Sequence, residues 1–490
     1  MSTPVHVIAS GTAVQYYRFR TGTWIFGSVV VIAIGIGTSE PLLFPACVLS
    51  LPLGAVLLWR HGEPPTLFAV YFLQWLQIVS GVFRTVLQNI PIAESYRIPG
   101  VTTSTWLSLS GLLILALGMR WALRGAGHAR FAIMESEIYT YSIRKMWIGY
   151  LVSLVLVSAV NLVLWQVPGI SQVLLALTGF KWAFYFALAV AVLMKQRGHV
   201  FLYAATAIEL VLGFTSFFSE FRLVFFVLGL AVFTATPRVQ PTTIRKVLAI
   251  FGAVVLLSAV WSLIKMDYRD FLSEGTGQQV VRVGPLDRVA KVIGLVNDVD
   301  ADDLPGGFER LVDRVQYTEY FGRVVDWVPN SAPHSNGELW TAAVWHVLMP
   351  RLFFPDKPML TPDVLLTQQF TGLNIIEQQG RDTEIPLGYM AESYVDFGPI
   401  GMFVPILLIG LMLGFQYRYF ITRPRYVLFA YGAIAVVLRV ATQYEISAVK
   451  LLGGSITAFV AMYLAFRFIV PAVHRRISHG TRRIIARQPA

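Results

Sequence analysis

A chain of 490 residues with 56% hydrophobic and 14% charged residues, at a mean hydropathy of +0.62, is too apolar for a soluble globular protein. Its net charge of +11 would suggest nucleic acid in a soluble chain, but the basic residues lie mostly beside apolar runs, where they orient a membrane protein, so nucleic acid is excluded as a partner. The single cysteine, Cys47, excludes an intramolecular disulfide and a multi-cysteine metal site.

In chain order, apolar segments long enough to cross a bilayer read as 23–38, 41–59, 65–83, 105–123, 146–165, 180–195, 199–216, 222–236, 246–264, 398–417, 426–442 and 447–470. At about 20 residues per crossing these predict about 12 transmembrane helices in an all-α polytopic membrane protein. Arg18 and Arg20 precede the first run without a small-residue cleavage site, so that run is expected to stay as a span. The organisation that follows is residues 1–264 as helices 1 to 9, a polar loop over 265–397, helices 10 to 12 over 398–472, and a basic tail over 473–490.

Lys and Arg set the orientation. With the N-terminus in the cytoplasm, one cytoplasmic loop carries Arg120, Arg124, Arg130, Arg144 and Lys145, another carries Arg238, Arg245 and Lys246, and the tail carries Arg475, Arg476, Arg482 and Arg483. Only Arg84, Arg97, Lys181, Arg222, Arg439 and Lys450 fall beside short connections on the other side. Both termini are therefore expected in the cytoplasm and the long loop outside it, with the tail resting on anionic membrane lipids.

The loop is too long to be structureless. Phe308, Leu311, Val312, Val315, Val324 and Val325 recur at helical spacing with charged residues between them, which predicts an amphipathic helix along the membrane surface, broken at Pro329 and Pro333. Asn336-Gly337 marks a turn. Leu339–Met349 is apolar on all faces, contains Trp340 and Trp345, and is too short to span, so it reads as an interfacial or re-entrant helix delivering Arg351 to the membrane plane.

Several polar residues of this region could carry chemistry. An arginine at the membrane surface offers a permanent charge and paired donors to phosphate oxygens, which fits Arg351; the alternative is an anchor reaching lipid headgroups. Lys357 follows it and also reads as a surface charge. Arg222 and Arg439 stand at span ends against the charge bias, either for an anionic ligand or in ion pairs, Arg222 with Glu220 and Arg439 with Glu445. Arg314 lies on the loop helix, where a solvated face is the competing reading. Glu392 and Asp396, four residues apart, share one helix face just before the apolar run at Gly398. A carboxylate withdrawn from water there could accept a hydroxyl proton, or could merely complement a helix dipole. His334 is the other candidate base, and Glu338 a weaker one. Nothing resembles a P-loop, a metal-ligand cluster or a Ser-His-Asp arrangement, so neither metal nor cofactor is expected.

Pro350-Arg351, then Pro355-Asp356-Lys357-Pro358, then Glu392-Ser-Tyr394-Val-Asp-Phe397-Gly398-Pro-Ile-Gly401 form an ordered set after the long loop. This set resembles the Wzy-type O-antigen and exopolysaccharide polymerase and O-antigen ligase superfamily; the first 200 residues carry no motif of it. The resemblance implies a GT-C-like fold in the bacterial inner membrane and an inverting, metal-independent glycosyltransferase. Its donor would be a glycan on undecaprenyl pyrophosphate and its acceptor a sugar hydroxyl of a lipid-linked repeat unit. Arg351, Arg222, Arg314, Arg439 and Lys357 would hold the pyrophosphate, Glu392 or His334 would take the proton, and a chain-length regulator would be a further partner. A ligase acting on lipid A core or protein shares the chemistry. A lipid-linked oligosaccharide flippase or transporter is the competing class, though such proteins spread polar residues over repeated halves, whereas here they concentrate in one loop.

Overall fold

The computed structural model describes residues 21–127, 130–163, 171–217, 220–236, 240–276, 281–351, 353–375 and 384–478. Arg18, Arg20, Arg238, Arg482 and Arg483 lie outside them. The protein is helical throughout, with no strand among the described residues.

The first part of the chain forms α1 (Thr21–Ile36), α2 (Leu43–Leu58), α3 (Thr66–Leu87), α4 (Ile92–Tyr96), α5 (Val101–Ala122), α6 (Phe131–Thr140), α7 (Ile143–Val163), α8 (Ser171–Thr178), α9 (Phe180–Lys195), α10 (His199–Phe214), α11 (Phe221–Ala235) and α12 (Pro241–Ser273). The polar interval holds α13 (Pro285–Asn297), α14 (Leu304–Val315), α15 (Thr318–Trp327), α16 (Glu338–Leu348), α17 (Asp363–Thr371) and α18 (Tyr389–Gly401). The chain then returns to apolar helices: α19 (Phe403–Thr422), α20 (Val427–Leu438), α21 (Ala448–Phe468) and the short α22 (Val470–Ile477).

Each apolar segment read from the sequence falls on an apolar helix. Among the described residues seven are long and apolar enough to cross a membrane, and five shorter ones have 10–17 residues.

The tightest helix pair is α5 with α19. A Cβ on Gly118 would lie 2.6 Å from the Leu407 carbonyl oxygen, and one on Gly414 would lie 2.7 Å from that of Met119. Gly410 and Gly414 form a small-xxx-small pair, the spacing that lets two backbones meet where lipid gives no hydrophobic drive for association. Gly414→Leu is expected to destabilise the protein by on the order of 3 kcal/mol through overpacking against backbone. Gly229→Ala, where a Cβ meets nothing within 4 Å, is the control. Thermal unfolding of both in detergent checks this; an unchanged midpoint for Gly414→Leu would remove the close-packed pair.

α12 departs from the sequence expectation. Its apolar run was expected to end at 264, yet the helix continues to Ser273. Nothing in Lys265–Ser273 breaks a helix, and Tyr268 and Leu272 bury themselves with Trp261 and Phe221 in a satellite core. Glu274 and Gly275 then stop it in left-handed conformations, at φ 51° and 74°. At 1.5 Å per residue the 33-residue helix is about 50 Å long, well beyond a hydrocarbon core of about 30 Å. Its last turns therefore carry Lys265 and Arg269 out into the polar interval.

The expected single amphipathic helix is two. Gln316 separates α14 from α15, buried with its Nε2 donating to Thr318 Oγ1 at 3.0 Å. Neither half lies freely on a surface: α14 sets Gly307 and Leu311 against α12, and α15 buries Phe321 and Val324 across α5. The Arg84–Asp313 ion pair ties α14 to the end of α3. The 339–349 stretch is a helix as expected, α16, with Trp340 buried and Trp345 60% exposed.

The apolar run at Gly398 does not open a span directly. Gly398 takes φ 69° and ψ −173°, which breaks the helix, and the next long helix starts at Phe403. Pro399 has no N–H to return to the Val395 carbonyl. That carbonyl instead accepts from the Ser335 N–H at 3.0 Å and from His334 Nδ1 at 3.1 Å.

Candidate functional site

Cations from three helices converge where α11 begins, where α12 leaves its apolar stretch and where α14 ends. They are Arg222, Lys265, Arg269 and Arg314; Lys265 and Arg314 are each within electrostatic reach of the other three, with Glu445 from the turn before α21 beside Arg222 and Arg314. Aromatic rings brace the group: Arg269 Nε donates to the Phe217 carbonyl at 3.3 Å and its guanidinium lies 4.9 Å from the Phe217 ring centroid. Arg222 lies over Phe221, which stacks on Phe214 at 4.3 Å. Arg222 and Arg314 are both exposed.

Burial lowers the Arg314 pKa, opposed by the nearby Glu445 charge. Burial raises Glu445, opposed by backbone N–H groups and by Arg222 and Arg314. Four like charges held together cost energy unless an anion joins them.

Four other cations beside short connections make the contrast. Lys181 pairs with Glu209 at 2.8 Å, Lys450 with Asp363 at 3.0 Å and with Glu384, Arg84 with Asp313, and Arg439 with Glu220 at 3.8 Å. The expected ion pairs are thus exchanged: Arg439 takes Glu220, and Arg222 faces Glu445. Arg222 has no ion pair within 4.0 Å among the described residues. Arg439 stands at the margin of the group with its charge already answered.

Arg351 and Lys357 form a separate pair. Lys357 Nζ donates to the His346 carbonyl at 2.9 Å, and Arg351 is exposed, with Lys357 and His346 as its titratable neighbours. Burial comes first in lowering the Lys357 and His346 pKa values, followed by these mutual charges. Around them Trp345, Leu348, Phe353 and Met359 are exposed, as at a lipid interface.

Glu392 and Asp396 do not act on a common partner. Asp396, nearly fully buried, accepts from the Leu339 and Trp340 N–H groups at 3.2 and 2.8 Å and so caps α16. Glu392, 5% exposed, accepts from the Ala448 N–H at 2.8 Å and caps α21. Burial pushes its carboxyl up to about 8, with Asp363 and Asp396 adding to the rise while the Ala448 N–H and Lys450 oppose it. Each carboxyl group thus accepts from the first turn of a neighbouring helix rather than from its own.

His334 is half-buried, packed edge-on against Tyr394 with ring centroids 5.7 Å apart. Its bond to a carbonyl requires the proton on Nδ1, which leaves Nε2 as an acceptor near Gly398. Glu338 is exposed in the first turn of α16.

The structure brings together Arg222 and Arg314 from the sequence candidates and adds Lys265, Arg269 and Glu445. The signal for the added cations was their i, i+4 spacing at the end of an apolar run, legible once the helix is known to continue. No group of three or more His, Cys, Asp or Glu among the described residues is arranged to hold a metal ion.

Fold and site together define a membrane-embedded protein, helical over its described residues, with a group of cations at the ends of two apolar helices and of α14. A family described as a domain of unknown function (DUF8712) matches residues 101–417, well over half of the chain, and the chain belongs to that family. The match includes all four converging cations, His334, Arg351, Lys357 and Glu392, whereas Arg439 and Glu445 lie beyond it. No curated protein and no solved structure matches the chain.

Proposed function

We propose that the protein is an inverting, metal-independent glycosyltransferase that polymerises a polysaccharide from undecaprenyl-pyrophosphate-linked oligosaccharides in the bacterial cytoplasmic membrane. The observation that carries this reading is the convergence of Arg222, Lys265, Arg269 and Arg314 at the ends of α11, α12 and α14. The polymerase resemblance at 349–401 supplies the substrate class. All 12 apolar helices would cross the bilayer, the shorter ones by local thinning. Both termini then face the cytoplasm and the 265–397 interval faces outward.

In this reading the cations hold the donor pyrophosphate. An acceptor sugar hydroxyl attacks the anomeric carbon from the opposite side, the bond to the pyrophosphate oxygen breaks, and the bonding pair leaves with that oxygen. Preorganised positive charge stabilises the growing negative charge without reorganisation. The hydroxyl proton passes to His334 Nε2, since Glu392 is buried and engaged with α21. Arg439, Arg351 and Lys357 take no part in this step.

The test is incubation of purified full-length protein, in bilayer discs, with a lipid-linked repeat unit. A ladder of elongated lipid-linked glycan is expected. Transfer only after addition of lipid A core or a protein acceptor would make it a ligase. Movement across a vesicle membrane with no new glycosidic bond would remove the enzyme reading.

A further inference from the structure

α16 has two apolar faces, and the helices around it cover only one. Trp340 and Ala343 are buried, and the Trp340 indole N–H donates to Ser393 Oγ at 3.1 Å. Val347 lies against α21, where a Cβ on Gly453 would stand 3.5 Å from its Cγ2. The other face carries Val344, Trp345 and Leu348, all exposed, and the chain beyond it leaves Phe353 73% and Met359 85% exposed. A contiguous uncovered apolar face of this kind marks an interaction surface.

Packing on α21 sets the depth of that face. α21 is long and apolar enough to cross a membrane, and its 21 residues span about 32 Å, close to a hydrocarbon core of about 30 Å. Gly453 comes five residues after its start, about 8 Å along that length. Val347 and the last turn of α16 therefore stand at the margin of the hydrocarbon, on the side where α21 begins. Tryptophan is favoured at that level.

After α16 the chain turns back on itself. The Phe353 and Phe354 N–H groups both donate to the Pro350 carbonyl at 3.0 Å, and the Lys357 N–H donates to the Phe354 carbonyl at 3.3 Å. Lys357 Nζ thereby returns to the His346 carbonyl, which closes the C-terminal turn of α16 and leaves two ammonium donors for other partners. Arg351, three residues past Leu348, is exposed and makes no ion pair within 4.0 Å among the described residues. Asp356, exposed in the same turn, makes none either. A permanent cation just above apolar side chains at the hydrocarbon margin is complementary to a headgroup phosphate.

We propose that α16 and the turn after it, to Met359, form a docking surface for anionic phospholipid. Val344, Trp345, Leu348, Phe353 and Met359 enter the leaflet, and Arg351, with Lys357 near it, binds the phosphate. This surface holds the polar interval against the bilayer, and it does not depend on the glycosyltransferase reading.

The experiment uses full-length protein in bilayer discs, with one spin label at a time in a Cys47→Ala background, since the native cysteine is buried. Leu348→Cys and Met359→Cys are the probes. Leu408→Cys, exposed on the apolar α19, is the lipid control, and Asp302→Cys, exposed among other acids, is the water control. Oxygen concentrates in lipid and a nickel chelate stays in water. Both probes are expected to match Leu408→Cys, open to oxygen and shielded from the chelate. Probes open to the chelate, as at Asp302→Cys, would show a face in water. Probes shielded from both would show cover by protein, whether a partner or a second copy. Either result overturns the proposal.

A fluorophore on Met359→Cys then reads the headgroup, through quenching by nitroxide-labelled phosphatidylglycerol or phosphatidylcholine at equal mole fraction. The anionic lipid is expected to be enriched about fivefold around the probe, the effect of one uncompensated cation at a membrane surface. Arg351→Gln is expected to abolish the enrichment, because Lys357 and Asp356 then offset each other. Arg351→Lys is expected to retain most of it, since lysine also reaches headgroups. Equal quenching by both lipids in the parent, or an enrichment that Arg351→Gln leaves unchanged, would overturn the phosphate contact.

Discussion

Arg314→Ala and Arg222→Ala are each expected to lower chain growth by about 100- to 1000-fold, the loss seen when one preorganised group facing a developing oxyanion is removed. The fold is expected to survive, because both side chains keep exposed surface and neither makes an ion pair within 4.0 Å among the described residues. Lysine at either position restores only part of the rate, since it keeps the charge but not the planar paired donors. Arg439→Ala is expected to change little, because Glu220 already answers that charge. The measurement is polymer length and amount from equal quantities of membrane-inserted protein. Near-parental polymer from Arg314→Ala would take the cationic group out of the reaction.

The second large effect separates two roles for Glu392. If it caps α21, Glu392→Gln keeps its acceptor for the Ala448 N–H and retains fold and activity. Glu392→Ala then loses that acceptor and leaves a buried gap, at a cost of on the order of 3 kcal/mol. If it were the catalytic base, glutamine would abolish activity with the fold intact.

The pH dependence follows from the same burial. Between the ordinary carboxyl range and about 8, the folded chain holds a proton on Glu392 that the unfolded chain has released. This contribution to stability is therefore fully present in acid and is lost as the pH rises through that window. Glu392→Gln is expected to flatten the decline. Thermal midpoints of parent and variant from pH 5 to pH 9 check it, and parallel curves would show that Glu392 does not hold the proton.

The apolar helices were legible because about 20 apolar residues in a row have few alternatives in a chain of this composition. Their ends were less so. α12 outran its apolar run because its polar extension still buries Tyr268 and Leu272, a tertiary gain that hydropathy does not register. The break at Gln316 depends on that side chain turning inward to Thr318, and periodicity across Val315 and Val324 conceals it.

The site was legible by halves. Arg222 and Arg314 stood out because they contradict a charge bias or sit on a patterned helix, but their convergence with Lys265 and Arg269 depends on how α11, α12 and α14 pack. Glu445 and Glu220 were visible as partners, and only the fold exchanges which arginine each one meets. Glu392 and Asp396 read as a pair from their spacing, yet they cap two different helices, because a carboxylate beside a stretch of free N–H groups is captured by whichever helix starts there.

The glycine-lined seam between α5 and α19 also orders the protein's assembly in time. Gly118 is synthesised about 300 residues before the helix it must touch, so at 5–20 residues per second it waits roughly 15–60 s for its partner. During that interval α5 presents a shallow, small-residue groove to lipid or to an insertion factor. Because α19 follows the polar interval, the seam can close only after that whole interval has been made, so a ribosome stalled within it would leave the first half of the bundle open along one side.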